Sequence, residues 1–211
     1  MAGLRLRFVF FGLSMKLLVF DKTDPRLSIA WRNGARLYRG LRRIDAAHGV
    51  ASWAEAFAWI ASHGERIDEL QYWGHGKWGT VLVGDDVWNA SPSIAMKNDL
   101  DRFREQLAPN ALIWFRTCET LGANAGIEFA ERLADWTGAR IAGHTHVIGF
   151  HQSGLHALAP GVAADWSPTE GLASGTADAP QRARGSAPWR ARTITCFAGQ
   201  VPPAWFSTGV R

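Results

Sequence analysis

Residues 111–139 read ALIWFRTCETLGANAGIEFAERLADWTGA. The first five residues form a continuous apolar run, the pattern of a strand buried on both faces of a parallel sheet. The run stops at Arg116-Thr117-Cys118. Gly122–Gly126 then leads into a helix. Ile127, Phe129, Ala130, Leu133, Ala134 and Trp136 lie along its apolar face, and Gly138 stands where a helix C-cap belongs. A buried strand, a polar loop and an amphipathic helix make one unit of an α/β repeat.

The same alternation extends in both directions. Lys16–Asp21 (KLLVFD) is a short apolar run and reads as a buried strand. DKTDP breaks it at Pro25. Residues 26–50 are mixed, with a strand expected over Leu37–Leu41 and a turn at His48-Gly49. Ser52 and Glu55 form a capping box ahead of a helix over Ala54–Ser62, whose face carries Trp53, Phe57 and Ile60. Ile67–Trp73 (IDELQYW) reads as a strand running into Gly74-His75-Gly76. Thr80–Val83 and Val87-Trp88 flank Gly84-Asp85-Asp86 as a hairpin. Ser93–Leu107 has a helical apolar stripe (Ile94, Leu100, Phe103, Leu107) and is expected to end at Pro109-Asn110. Arg140–Gly149 is strand-like. Residues 172–190 are rich in Gly, Ala, Ser and Pro and are expected to be a flexible surface segment. Thr193–Phe197 (TITCF) is expected to be a last strand, opening a C-terminal piece over 191–211. This order predicts an α/β protein, a three-layer α/β/α sandwich around a mainly parallel sheet.

At 211 residues the chain is long enough for one sizeable core. Hydrophobic residues are 47% and charged residues 20%, which places it with globular rather than disordered chains. The 11 Trp are scattered through every expected element, so they read as core and loop anchors, not as a stacking platform. No apolar run reaches the ~18–20 residues of a membrane-spanning helix. The net charge of +4 is uneven: residues 1–43 carry +8, residues 44–181 carry −9 and residues 182–211 carry +5. The acidic middle and the lack of any RNP, zinc-finger or helix-turn-helix signature argue against a nucleic-acid partner. Two distant cysteines, Cys118 and Cys196, make neither a disulfide framework nor a four-thiolate zinc site. Arg5, Arg7 and FVFFGL imitate a signal peptide, but the apolar stretch is short and no small-residue cleavage site follows. Residues 1–14 are therefore read as a non-native or flexible extension before a natural start at Met15, and a cytoplasmic location is expected.

Two reactive residues fall just past the ends of two expected strands. His75 follows Ile67–Trp73, and Cys118 follows Ala111–Phe115. In open parallel sheets, ligands bind outside the carboxyl ends of the strands. A cysteine nucleophile needs a base, and histidine takes and returns a proton near neutral pH. If the two strands are neighbours, His75 and Cys118 share one cleft. Gly74 allows a sharp exit from the strand, and Gly76 allows its backbone N–H close approach to a substrate carbonyl. The structural alternatives are a cysteine acting as a small buried hydrophobe and a Gly-His-Gly that is only a turn.

An apolar strand ending in His-Gly, then a hairpin, a helix and a second apolar strand ending in Cys, resembles the caspase-like cysteine peptidases. WGHG at 73–76 and RTCET at 116–120 occupy the matching places. The sequence more closely resembles the bacterial DUF4347 domains, which carry an SHG-x-x-G-x-L-x-LG segment and a YGC segment leading to a G-x-x-F-x-x-x-LA-x-x-TGA helix. Here these are GHGKWGTVLVG (74–84) and TCETLGANAGIEFAERLADWTGA (117–139). The likeness covers about residues 16–170, so residues 15–171 are taken as the caspase-like body. It implies a caspase-like fold and a His75/Cys118 dyad hydrolysing peptide bonds through an acyl-enzyme. It also implies an oxyanion site at the backbone N–H groups of Gly76 and Cys118. Thr117 departs from the Ala or Gly that precedes the nucleophile in these families.

The expected function is thus a cysteine endopeptidase with a protein or peptide substrate, no cofactor and no membrane partner. The rivals are a catalytically silent caspase-like binding module and a metal-dependent hydrolase. The second rests on His144 and His146, which share one face of a strand, with His151 and His156 following; no third ligand at clear spacing and no adjacent general-base Glu accompanies them. Asp85, Asp86, Glu119, His144 and His146 are further candidates for substrate binding. Absence of Walker and G-x-S-x-G motifs argues against P-loop nucleotide and serine-hydrolase chemistry.

Overall fold

A computed structural model describes residues 14–208. The strands, in chain order, are β1 (Ser14–Asp21), β2 (Ala46–Val50), β3 (Arg66–Trp73), β4 (His75–Lys77), β5 (Thr80–Val83), β6 (Asp86–Asn89), β7 (Leu107–Arg116), β8 (Arg140–His144), β9 (His151–Gln152), β10 (Leu155–Leu158), β11 (Leu172–Gly175), β12 (Pro180–Ala183) and β13 (Ile194–Thr195). The helices are α1 (Ser28–Gly40), α2 (Trp53–Ala61), α3 (Ile94–Gln106) and α4 (Ala123–Thr137). The central sheet has the order β10-β8-β7-β3-β1-β2. Five of its strands are parallel, and only β10 runs antiparallel, at the edge beside β8. This is an α/β protein with a mixed, mostly parallel sheet. Among the described residues no helix is long and apolar enough to cross a membrane.

The two faces of the sheet are covered differently. Leu17, Val19, Leu70, Tyr72, Ile113, Phe115 and Ile141 pack against α2, α3 and α4 in the main core. On the other face, Leu18, Phe20 and Trp73 meet α1. Further along that face, Leu112, Trp114 and Ala142 meet Ile194, Val201, Trp205 and Phe206 of the C-terminal segment. The tail therefore stands where a second helix would complete the layer. Ala111–Arg116 is buried throughout, which is why that stretch reads as one apolar run.

Local chemistry explains several boundaries. Ser52 accepts a hydrogen bond from the Glu55 N–H and opens α2, while Glu55 accepts one from the Ala51 N–H. Gly138 closes α4 with φ of 70°. The hairpin of β5 and β6 turns at Gly84-Asp85 as expected.

Other boundaries differ from expectation. Residues 37–41 fall in and just after α1 and do not form a strand. The inward-facing set there is the half-buried Trp31 with the buried Ala35 and Tyr38, a helical spacing, whereas Leu37 and Leu41 are exposed. Gly34 lets α1 lie close to the sheet, since a Cβ there would come 2.6 Å from the Trp73 ring. Pro109-Asn110 does not separate helix from strand. It forms an irregularity inside β7, where the register with β3 jumps between Ile67 and Glu69 and Asn110 takes φ of 63°. The strand expected over 140–149 ends at His144. Thr193–Phe197 contributes only the two-residue β13, paired with β9 outside the central sheet. The segment 172–190 is largely exposed but holds the β11–β12 hairpin, and Val147 and Arg184 are joined through their backbones. Of residues 1–14, expected as an extension, Ser14 opens β1 and the rest lie outside the described residues.

Candidate functional site

The strand order reverses direction between β1 and β3: the chain leaves β1 towards β2 and returns to β3 on the other side. Ligand sites in such sheets lie outside the carboxyl ends at that point. The loops emerging there carry Asp24 after β1 and His75 after β3. The next parallel strand, β7, delivers Cys118.

His75 stands at the start of β4, about half exposed, with its ring edge-on to Trp31 at 5.4 Å. Its Nε2 is 2.8 Å from Asp24 Oδ2. The other oxygen of Asp24 accepts the N–H groups of Arg26 and Leu27, both at 2.7 Å, at the start of α1. These backbone bonds, led by Leu27, and the bond to His75 hold the Asp24 carboxyl below its ordinary range. An ionised Asp24 only accepts, so Nε2 of His75 carries the proton. In the neutral ring Nδ1 is then the lone-pair nitrogen. Sequence reasoning misses this carboxylate. The available signal is DKTDP itself, an acidic loop after the first strand of a sheet whose neighbouring loop carries a histidine.

Cys118 lies in a tight loop before α4. The Thr117 and Thr120 hydroxyls bond each other at 2.6 Å. Glu119 has φ of 34°, its N–H donates to the His146 carbonyl and its carbonyl accepts the Trp78 N–H. Gly79 N–H donates to the Thr120 carbonyl at 2.7 Å. A Cβ on Gly76 would come 2.1 Å from Thr120 Oγ1 and 2.8 Å from Thr117 Cβ. The β4 strand is thus pressed against the cysteine loop, and glycine at 76 is required by that contact.

The two reactive loops touch, but their side chains do not bond in this structure. The Cys118 thiol donates to the Ile148 carbonyl at 3.9 Å. Burial pushes its pKa up and the Glu119 charge adds to this, with the Ile148 bond opposing. The resting group is a thiol, not a thiolate. Cys118 N–H has no hydrogen-bond partner among the described residues.

The other candidates separate. Asp85 is exposed at the hairpin tip, and Asp86 accepts the Trp53 N–H at 2.8 Å as part of the start of α2. Neither is gathered at Cys118. Glu119 is beside Cys118 by sequence and 9% exposed; its Oε2 lacks a hydrogen-bond partner and burial raises its pKa, with Lys77 opposing. His144 is fully buried, with Nδ1 3.1 Å from the Ser153 carbonyl. His146 turns to Thr145, at 3.0 Å. Among the described residues no group of three His, Cys, Asp or Glu side chains converges as a metal site. The donor set therefore does not fit the metal-dependent alternative.

His144 carries a consequence for stability. Burial lowers its pKa from 6.5 to about 3, more than the Ser153 bond offsets. Above pH 6.5 the ring is neutral both folded and unfolded. Below it the unfolded chain takes up a proton that the folded chain refuses until near pH 3. Stability therefore falls as pH drops through that window, by about 2 kcal/mol at about pH 5. Urea unfolding at neutral and at mildly acidic pH measures the fall, and His144→Asn, which keeps a donor for Ser153, is expected to flatten it. An unchanged slope in that variant removes His144 as the cause.

The fold and this loop cluster define a class: an α/β protein with a histidine–carboxylate pair and a cysteine loop at the switch point of a mostly parallel sheet. The model of the Domain of unknown function DUF4347 matches residues 42–158, more than half of the chain, and the chain belongs to that family. No curated protein and no solved structure matches it significantly.

Proposed function

We propose that the protein is a cysteine endopeptidase of caspase-like architecture, acting on a protein or peptide substrate. The observation that carries this reading is the Asp24–His75 pair, held at the sheet's switch point against the loop of Cys118. The thiol first leaves the Ile148 carbonyl. His75 Nδ1 then takes its proton as Sγ attacks the peptide carbonyl carbon. The tetrahedral oxyanion is received by the N–H groups of Gly76 and Cys118. Its collapse breaks the C–N bond, and His75 returns the proton to the departing amine. Water, deprotonated by His75, hydrolyses the thioester and frees Cys118. Two unpaired cysteines fit a reducing compartment such as the cytoplasm.

A second reading, a silent binding module, is favoured by one observation: the thiol bonds Ile148 and its pKa is raised, not lowered. A peptide library separates the two. The peptidase reading expects cleavage that disappears in Cys118→Ala. It also expects iodoacetamide labelling of Cys118 to be slow at neutral pH and to climb only above the usual thiol range, while a substrate-like peptide electrophile labels it fast. Failure of every peptide and every such electrophile leaves the binding module.

A further inference from the structure

A cavity of about 380 Å³ is lined by His146, Glu170, Arg184, Trp189 and Arg190, and neither Cys118 nor His75 reaches it. Except for His146, these residues lie beyond the part of the chain that the family model matches. They belong to the segment that folds back over the exit of β8, where Arg184 bonds Val147 and Gly171 through its backbone.

The hydrogen bonds around Glu170 have one consistent set of directions. Burial raises the pKa of its carboxyl, but the bonds from His156 and Thr145 and the neighbouring rings outweigh this and hold it below the usual range. The ionised group only accepts. Arg192 donates to His156 Nδ1 at 2.7 Å, so the proton of that ring sits on Nε2, 2.9 Å from Glu170. The Thr145 hydroxyl gives its hydrogen to Glu170 at 3.1 Å. Its oxygen is left to accept from His146 Nδ1–H at 3.0 Å. His146 is therefore held as one tautomer, with a lone pair on Nε2. The residue is only 6% exposed, and the ring's one hydrogen bond among the described residues is through Nδ1, which leaves Nε2 without a partner.

Two guanidinium groups share the cavity. Arg190 uses Nε on the Gly185 carbonyl at 2.8 Å, and its two terminal nitrogens have no partner among the described residues. The Arg184 side chain makes no hydrogen bond or ion pair among the described residues. Trp189 is 83% exposed at the rim. Glu170 takes both of its bonds, from His156 and Thr145, on Oε1, and its single negative charge stands against two guanidinium groups, so the excess charge facing the cavity is positive.

We infer that this cavity is a second binding site, for a ligand whose oxyanion, a phosphate monoester or a carboxylate, is attached to a flat apolar group. Arg184 and Arg190 hold the oxyanion, which suits the planar guanidinium fork. His146 Nε2 accepts a hydrogen bond from an O–H or N–H beside it. The flat group lies on the Trp189 indole.

The test titrates the full chain with phenyl phosphate, benzoate and inorganic phosphate, reading heat of binding and the indole N–H signals. Saturable one-to-one binding of phenyl phosphate or benzoate is expected, with a shift in the indole signal that Trp189→Phe removes. Arg184→Ala, which breaks no bond of the fold, is expected to weaken binding several-fold. Loss of both arginines is expected to weaken it about tenfold or more. Cys118→Ala is expected to leave it unchanged. Tighter binding of phenyl phosphate assigns the site to phosphate monoesters, and tighter binding of benzoate assigns it to carboxylates. Absence of saturable binding by both, or binding indifferent to both arginines, overturns the site. Inorganic phosphate binding as tightly as phenyl phosphate overturns the role of Trp189.

Discussion

Replacing Asp24 by asparagine is expected to cost nearly as much peptide hydrolysis as removing His75, about 10²–10⁴-fold, with little loss of stability. The reason is the direction of one hydrogen bond. The asparagine keeps an oxygen for the N–H groups of Arg26 and Leu27, so the start of α1 is preserved. It turns an amide N–H towards His75 Nε2, where Asp24 accepts. The ring responds by carrying its proton on Nδ1, the nitrogen that must take the thiol proton. His75→Ala removes the base altogether. Both variants are expected to lose kcat with modest change in KM, because neither side chain is needed to hold substrate. Steady-state rates on any cleaved peptide, beside urea midpoints for the same variants, measure this. Full activity in Asp24→Asn would discard the proposed tautomer and the role of the carboxylate with it.

Much of the sheet is legible in the sequence because burial leaves a periodicity. Ala111–Phe115 is covered on both faces and reads as a continuous run. The helix over 127–138 shows a clean stripe and a glycine at its cap. The hairpin of Thr80–Asn89 shows its turn residues. Elements whose form depends on a partner are less legible. The helix over 28–40 turns a narrow line of Trp31, Ala35 and Tyr38 inward, while Leu37 and Leu41 face solvent and suggest a strand. Pro109 looks like a breaker until the irregular pairing with β3 accommodates it. The site follows the same rule. Pattern alone places His75 and Cys118 at strand ends. It does not place Asp24, whose role depends on β1 and β3 being neighbours. Asp86, an acidic residue near the proposed cleft in sequence terms, is taken up by the start of α2.

In the sequence Arg116 marks only the end of a strand, yet its substitution is expected to give the largest loss of stability. Its guanidinium is buried on the tail side of the sheet and stacks on Trp114 at 4.6 Å and Trp73 at 5.3 Å. It donates to the Gln152 side chain, to the Tyr38 hydroxyl and to the carbonyls of Cys196 and Ala198. No carboxylate lies within ion-pair distance among the described residues. Burial lowers its pKa and Tyr38 opposes this, but an arginine keeps its proton. The charge is thus solvated by carbonyl dipoles and ring faces in place of water. Arg116→Met fills the volume and removes the cost of burying a cation. It also leaves several acceptors facing apolar surface, each costing roughly 1–3 kcal/mol. The second effect outweighs the first, and a net loss of about 3–5 kcal/mol is expected, a large share of a typical domain's stability. Arg116→Lys keeps the charge but offers a point donor that cannot span Gln152, Tyr38 and residues 196–198, so it is expected to recover only part. The tail supplies Ile194, Val201, Trp205 and Phe206 to that face, so its release exposes Trp114 and Leu112 together. Urea unfolding measures the loss, and brief proteolysis under native conditions is expected to cut Arg116→Met first within 194–208. A midpoint for Arg116→Met within about 1 kcal/mol of the parent's would mean that tail packing alone, without the guanidinium, holds the segment.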